Sequence, residues 1–323
     1  MTWEKEVKDI KKREELSLKH GGEESVKIHH QKGRKTLRER LSIILDDGSF
    51  QEIGKIAGDA EYDENGELKD FTPANFLLGF GKINKRSVII GGEDFTMKGG
   101  SPNPSGLRKS IYTEELALKY KIPLVRLHEG GGGSVAGSGG TAKKPTIPSG
   151  DAVFSKNRFQ ALAQCLGTVP VATAALGPVA GLPAARLVAS HFSVMTKNSQ
   201  VLIAGPAVVK RALGIDITKE DLGGPNVHLK SGAVDNLAED EDDALNQIKI
   251  FLSYLPNNYL ELPPKKETKD KRNRIENELL TIIPKERRKT YDVRKLLSLI
   301  LDLNSFFEYG KHYGSSLITG LAT

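Results

Sequence analysis

Two glycine-rich turns hold the residue types through which this chain of 323 residues could do chemistry. One is Leu176-Gly-Pro-Val-Ala-Gly-Leu-Pro-Ala184, between a predicted strand (Val169 to Leu176) and a predicted helix (Pro183 to Ala189). The first backbone N–H groups of a helix have no partner inside it, so they can hold an anion. Such donors can stabilise an oxyanion with no acidic or basic side chain. The same spacing describes, more readily, an ordinary turn that lets strand and helix pack closely. The other turn is Glu129-Gly-Gly-Gly-Gly-Ser-Val-Ala-Gly-Ser-Gly-Gly140, which follows a buried-type strand, Pro123 to His128. It lacks the Gly-Lys-Ser/Thr ending of a nucleotide phosphate loop and the spacing and downstream acid of a dinucleotide fingerprint. It reads as a flexible loop covering a substrate.

The remaining reactive types offer less. The histidines show no metal-ligand spacing beyond the adjacent His29-His30, which sits in a charged arm and reads as solvated, so no metal site is expected. Cys165 is the only cysteine, in Ala-Leu-Ala-Gln-Cys-Leu, where a small buried apolar residue is expected rather than a nucleophile. An internal disulfide is excluded, and a reducing cytoplasm, or alternatively a mitochondrial-type matrix, is the expected compartment. Asp240-Glu-Asp-Asp243 reads as an acidic helix start. The net charge of +6 is concentrated at Lys27–Arg40 and at Lys265–Lys289, which carries ten Lys/Arg against five Asp/Glu. Neither stretch interleaves aromatics, so no nucleic-acid partner is expected. No apolar run reaches the roughly 18–20 residues of a membrane span, and the N-terminus has no apolar signal region.

The elements that must position these turns alternate between strand and helix. Residues 1–40 read as a charged helical arm turning at Gly21-Gly22, and 41–47 as a short amphipathic helix closed by Gly48. Strands are expected at Phe76–Phe80 and Arg86–Ile90, joined at Lys82-Ile-Asn-Lys85, then a helix at about 106–120. Further helix is expected at Ser155–Leu166 and a strand at Ser199–Ala204. Such alternation implies a right-handed, largely parallel α/β layer.

The chain also begins a second time. Leu41-Ser-Ile-Ile-Leu-Asp-Asp-Gly-Ser-Phe-Gln-Glu-Ile-Gly54 returns as Leu297-Ser-Leu-Ile-Leu-Asp-Leu-Asn-Ser-Phe-Phe-Glu-Tyr-Gly310, with nine of fourteen positions identical and Arg38 matched by Arg294. The offset of 256 residues is too long for a solenoid and indicates a duplicated domain. The expected organisation is an arm (1–40), a first domain (41–262), a prolyl, charged linker (263–289) and the start of a second domain (290–323).

These motifs resemble the carboxyltransferase (β) subunit of biotin-dependent acyl-CoA carboxylases, of the propionyl-CoA carboxylase type. The resemblance rests on Gly33-Arg-Lys-Thr-Leu-Arg-Glu-Arg40, Glu93-Asp-Phe-Thr-Met-Lys-Gly-Gly-Ser101, Leu176-Gly-Pro-Val-Ala-Gly181, Leu202-Ile-Ala-Gly-Pro-Ala-Val-Val-Lys210, Asp221-Leu-Gly-Gly224 and Tyr254-Leu-Pro256. It implies an α/β, crotonase-like (ClpP/crotonase) β-β-α superhelix, of which this chain holds the first of two duplicated domains. The first domain would bind acyl-CoA and the second carboxybiotin, with sites formed between subunits of a homo-oligomer, dimer to hexamer. A carboxyl group would move from biotin, on a partner carrier domain, to the α-carbon of the acyl-CoA through an enolate. The implied partners are acyl-CoA and the biotin carboxyl carrier and biotin carboxylase subunits. The alternative is a shortened, non-catalytic CoA-binding or assembly subunit.

The family's oxyanion pair falls on Gly181 and Leu182, where leucine replaces a second glycine but keeps its N–H. Lys98, Arg108 and Lys109, flanking the Gly99–Gly106 turn, are candidates for the CoA phosphates, with Gly99, Gly100, Gly131 and Gly132 expected against the ligand. Relatives carry Asp-Ser-Gly-Gly-Ala-Arg where this chain has His128-Glu-Gly-Gly-Gly-Gly-Ser134, so the arginine is missing. A hydratase-type crotonase would need a glutamate pair near the oxyanion turn, and none is legible.

Overall fold

A computed structural model describes residues 2–132 and 158–323, apart from Lys266, Lys269 and Arg272. The arm forms two helices, α1 (Glu4–Ser17) and α2 (Glu23–Gln31), broken at Gly21-Gly22 as expected. Helix α3 spans Leu37–Ile44, four residues earlier than the sequence pattern indicates. Thr36 and Glu39 cause the shift. They form a capping box, the Thr36 hydroxyl accepting from Glu39 N–H and the Glu39 carboxylate from Thr36 N–H, which nucleates the helix ahead of its apolar run.

Strand β1 (Gln51–Glu52) is followed by a separate hairpin, β2 (Gly58–Tyr62) with β3 (Leu68–Pro73), which the sequence reading missed. Strands β4 (Phe76–Ile83) and β5 (Arg86–Glu93) pair antiparallel around Asn84 and Lys85. Both turn residues have positive φ, and the Asp46 carboxylate accepts their amides, so the connection twists with the strands. Helix α4 (Pro104–Tyr120), capped by Asn103, leads to β6 (Leu124–Gly130), which is buried along its whole length. The chain continues through α5 (Arg158–Leu166), β7 (Val171–Ala180), α6 (Leu182–Val188), β8 (Phe192–Thr196) and β9 (Gln200–Leu202). Helices α7 (Pro206–Leu213), α8 (Lys219–Gly223) and α9 (Pro225–Ser231) lead to β10 (Asn236–Ala238) and α10 (Glu241–Ser253).

The main sheet runs β1-β4-β5-β6-β7-β8-β10, with β9 also on β7. From β5 onward it is parallel, and the first two pairings are antiparallel. Alternation along the strands puts core on both faces of the sheet, with a third cluster around Val179, Leu187 and Met195. Leu77, Val88, Ile90, Val125 and Leu127 pack towards α3 and α10, while Phe76, Leu78, Ile89 and Leu124 pack towards α4 and Cys165 of α5. Asp240 caps α10 through Asp243 N–H, as its acidic start suggests.

Residues 263–289 contain one short 3-10 turn, Asn277–Leu280, and are otherwise irregular among the described residues. Helix α11 (Val293–Ile300) and the β11 (Phe307–Tyr309)/β12 (Thr319–Leu321) pair form the second copy. It docks through Phe307, whose ring lies 5.5 Å from that of Phe192, and through Asn236, which donates to Glu308 O and accepts from Gly310 N–H.

Candidate functional site

The turn after β7 is tighter than expected, because Gly177 to Ala180 stay in the strand and only Gly181 bends. Pro178–Ala180 pair with β9, and Gly181 N–H extends this ladder to Leu202 O at 2.9 Å. Gly181 therefore uses its own donor in the sheet. Its φ of 68° and ψ of −128° require glycine. A Cβ there would also lie 2.8 Å from the Cα of Gly132. Leu182 begins α6 and Pro183, which has no N–H, follows. No partner occurs for the Leu182 N–H among the described residues. Gly132 faces that amide, since a Cβ on it would lie 2.8 Å from Leu182 N.

The Lys98–Gly100 turn completes the arrangement. Lys98, Gly99 and Gly100 all have positive φ, an unusual run that brings Gly100 against the end of β6. A Cβ on Gly100 would lie 2.6 Å from both Glu129 O and Gly130 Cα, and Gly131 N–H donates to Gly99 O at 3.2 Å. Gly100, Gly132 and Leu182 thus line one cavity of about 50 Å3, together with Glu93, Ser110 and Arg186. Gly99 and Gly131 sit immediately beside it. The rest of the glycine loop, from Gly133 to Gly140, lies outside the described residues, as do Ser155–Asn157 of the expected helix.

The three basic candidates separate. Lys98 and Arg108 are exposed, whereas Lys109 is buried, its ammonium donating to Gly54 O at 3.2 Å and lying 3.9 Å from Glu52. Burial pushes the Lys109 amine down to about 8, against a raising effect of Glu52. Lys109 points into the protein rather than towards the cavity mouth.

The sequence reading missed a set of buried charges behind this cavity. Arg126 on β6 and Arg186 on α6 share one carboxylate oxygen of Glu114, at 2.7 and 2.9 Å. Glu93, at the end of β5, takes the Nδ1 side of His128 at 3.1 Å. Burial pushes Arg126 down to about 10, with Glu114 opposing that shift. Burial alone would raise the Glu93 carboxyl, but His128, Arg126 and Arg186 outweigh it and hold it below the ordinary range. Among the described residues a single glutamate, Glu93, lines the cavity. Strand register was the signal available. Parallel pairing of Gly92 with Leu127 sets Glu93 beside His128, but the sequence does not show that register.

The arm reaches the same strand. Glu129 is gripped by Arg40 at 2.6 Å, Arg34 at 3.1 Å and His29 at 3.4 Å. His29 is buried, not solvated, and only its neighbour His30 is exposed. Burial alone would raise the Glu129 carboxyl, but Arg40, His29 and Arg34 hold it lowered. Arg40 also binds Glu241 through Nε and Nη2, joining α3 to the start of α10. Among the described residues, no three metal-ligating side chains converge and no helix is long and apolar enough to cross a membrane.

Comparison with known proteins agrees with this architecture. The carboxyl transferase domain family matches residues 28–323. The propionyl-CoA carboxylase carboxyltransferase subunit of Haloferax mediterranei is 30% identical over 99% of this chain and 60% of its own length. Methylmalonyl-CoA decarboxylase subunit alpha of Veillonella parvula is 31% identical over 94% of this chain and 58% of its own length. The chain thus spans about 60% of such relatives. A transcarboxylase 12S structure, solved as a hexamer with methylmalonyl-coenzyme A and methylmalonic acid bound, superimposes with a TM-score of 0.84 at 29% identity. That match covers 100% of this chain and 61% of the other, and it places the fold in the crotonase-like class. The chain belongs to the carboxyl transferase domain family.

Proposed function

We propose that this chain forms the acyl-CoA side of a biotin-dependent carboxyltransferase, transferring a carboxyl group to the α-carbon of an acyl-CoA. The observation that supports this most directly is the open Leu182 amide beside a small cavity, facing Gly132. A thioester enolate carries its charge on oxygen, and a fixed N–H aimed at that oxygen lowers the barrier without an added acid or base. Gly181 contributes shape, bending the chain so that the Leu182 N–H leaves the sheet ladder while its own N–H stays in it. Lys98 and Arg108, both exposed, are the residues proposed to meet the CoA phosphates. Carboxybiotin on a partner carrier subunit would supply the carboxyl group, and no residue of this chain is assigned to hold it. A homo-oligomer is proposed by analogy with the hexameric 12S relative.

Leu182→Pro, which deletes the N–H, tests the reading in the carboxyltransferase containing this chain. Turnover is expected to fall on the order of 10²–10³ while acyl-CoA binding changes little. Leu182→Gly retains the donor and is expected to retain turnover. Unchanged turnover in a well-folded Leu182→Pro enzyme would reduce the turn to a packing feature. Charge reversal at Lys98 and Arg108 is expected to weaken CoA esters more than the matching pantetheine esters.

A further inference from the structure

Arg186 lies one helical turn beyond Leu182, so both project from the same face of α6 into the cavity wall. Its side chain is 2% exposed. Nε binds Glu114 at 2.9 Å and Nη1 binds the Ser110 hydroxyl at 3.1 Å. Nη2 is buried with no hydrogen-bond partner. Buried donors are nearly always satisfied, and those on charged groups are the costliest to leave open.

The neighbouring acids do not meet this donor. One Glu114 oxygen already serves two guanidiniums, Arg126 and Arg186, and the second Glu114 oxygen is itself buried without a partner. Glu93 is held by His128, and among the described residues it forms no ion pair with either arginine. The cavity is lined further by Phe76, Leu107 and Pro183, and its volume of about 50 Å3 admits a group of about three to five heavy atoms.

We propose that this cavity selects acyl groups bearing an oxygen acceptor of their own, a hydroxyl or a carboxylate, which takes the open Nη2 of Arg186. The inference rests on the acyl-CoA reading of the site and narrows it to a substrate class. A plain alkyl chain in the same space would leave the arginine donor unmet. A site built to hydrogen-bond a substrate discriminates strongly against the analogue lacking that group. Arg186 is on this view a specificity residue, and Glu114 and Ser110 are the groups that aim it.

Calorimetric titration of the full chain tests the proposal with two pairs of esters, 3-hydroxybutyryl-CoA against butyryl-CoA and succinyl-CoA against pentanoyl-CoA. The polar member of at least one pair is expected to bind about tenfold or more tightly. The pair that responds identifies hydroxyl or carboxylate. In Arg186→Met, which leaves Glu114 paired with Arg126, that preference is expected to fall below about threefold, with butyryl-CoA still binding. Equal affinities within both pairs of the wild-type chain would overturn the inference, whether or not the variant folds. A preference that survives in the folded variant would overturn it too. If alkyl esters bind without discrimination, only this inference fails. If no CoA ester binds the folded chain, the acyl-CoA reading fails with it.

Discussion

The chain contains the same short unit twice, and its two settings differ. In the first copy α3 is capped by Thr36, and Arg38 pairs with Glu52 at 2.8 Å. In the second α11 is capped by Asp292, and Arg294 pairs with Glu308. Each helix is followed by an amide that closes the strand pair, Asp46 N–H to Lys82 O and Asp302 N–H to Thr323 O. Gly54 and Gly310 both adopt positive φ. The copies diverge where they meet other parts of the protein. Residues 53–75 of the first include the β2–β3 hairpin, whereas the equivalent 310–318 contain no strand. Helix α3 buries Leu37, Arg40, Leu41 and Ile44, while α11 buries none of its residues and leaves Ile300 exposed. Arg40, which clamps Glu129 and Glu241, has Leu296 at its counterpart. Capping and local ion pairs are therefore enough to specify the unit, and the buried clamp is what joins it to a site.

Making the first copy resemble the second should do the most damage. Arg40→Leu would leave Glu241 without its buried cation and Glu129 with only Arg34 and His29, an expected loss of about 3–5 kcal/mol in denaturant unfolding. The reciprocal Leu296→Arg, on a half-buried surface, should leave the midpoint nearly unchanged. Equal effects would remove the distinction between the copies.

Lys109, on α4 outside the repeated unit, gives a pH-dependent test of the sheet that the first copy packs against. Its folded pKa is about 8, below the ordinary value of 10.5, so the unfolded chain binds more protons between these limits. The burial penalty is complete below pH 8 and disappears as pH rises through 10.5, which makes stability increase across that window. The increase is about 3–4 kcal/mol on an order-of-magnitude scale. Lys109→Met should flatten this rise in urea unfolding followed at several pH values. A rise of equal size in the variant would assign the effect to another group.

The caps sharpen the comparison at smaller scale. Thr36→Ala is expected to cost about 1 kcal/mol globally, because α3 is packed into the core. Asp292→Ala should instead accelerate hydrogen exchange only at α11 amides, leaving the global midpoint in place. Smallest of all, Arg294→Ala removes an exposed pair and should give no resolvable shift in unfolding. A global loss from either change in α11 would mean that the second copy unfolds together with the sheet.

Elements specified by nearby residues were legible in the sequence. The β4–β5 turn and the buried β6 strand each depend on neighbours a few positions apart. Strand β8 was not legible, since Phe192-Ser-Val-Met-Thr196 has neither clean alternation nor a long apolar run, and its burial comes from both faces of the sheet. The buried charges were missed for a related reason. Arg126 and Arg186 look like surface residues until α4 supplies Glu114, and Lys109 looks like a phosphate ligand until Gly54 and Glu52 enclose it. Each of these side chains was legible in type but not in direction.

The two arginines of α3 also work on different time scales. Arg38 finds Glu52 only 14 residues away, so that contact can form while the chain is still short. Arg40 must wait for Glu241, which lies 201 residues later. During synthesis the helix can therefore be in place long before its clamp exists. The arm can grip Glu129 at the end of β6 once that strand has been made, and only the link from Arg40 to α10 waits for Glu241. In order of synthesis the local pair of Arg38 thus comes first and the long-range half of the Arg40 clamp last.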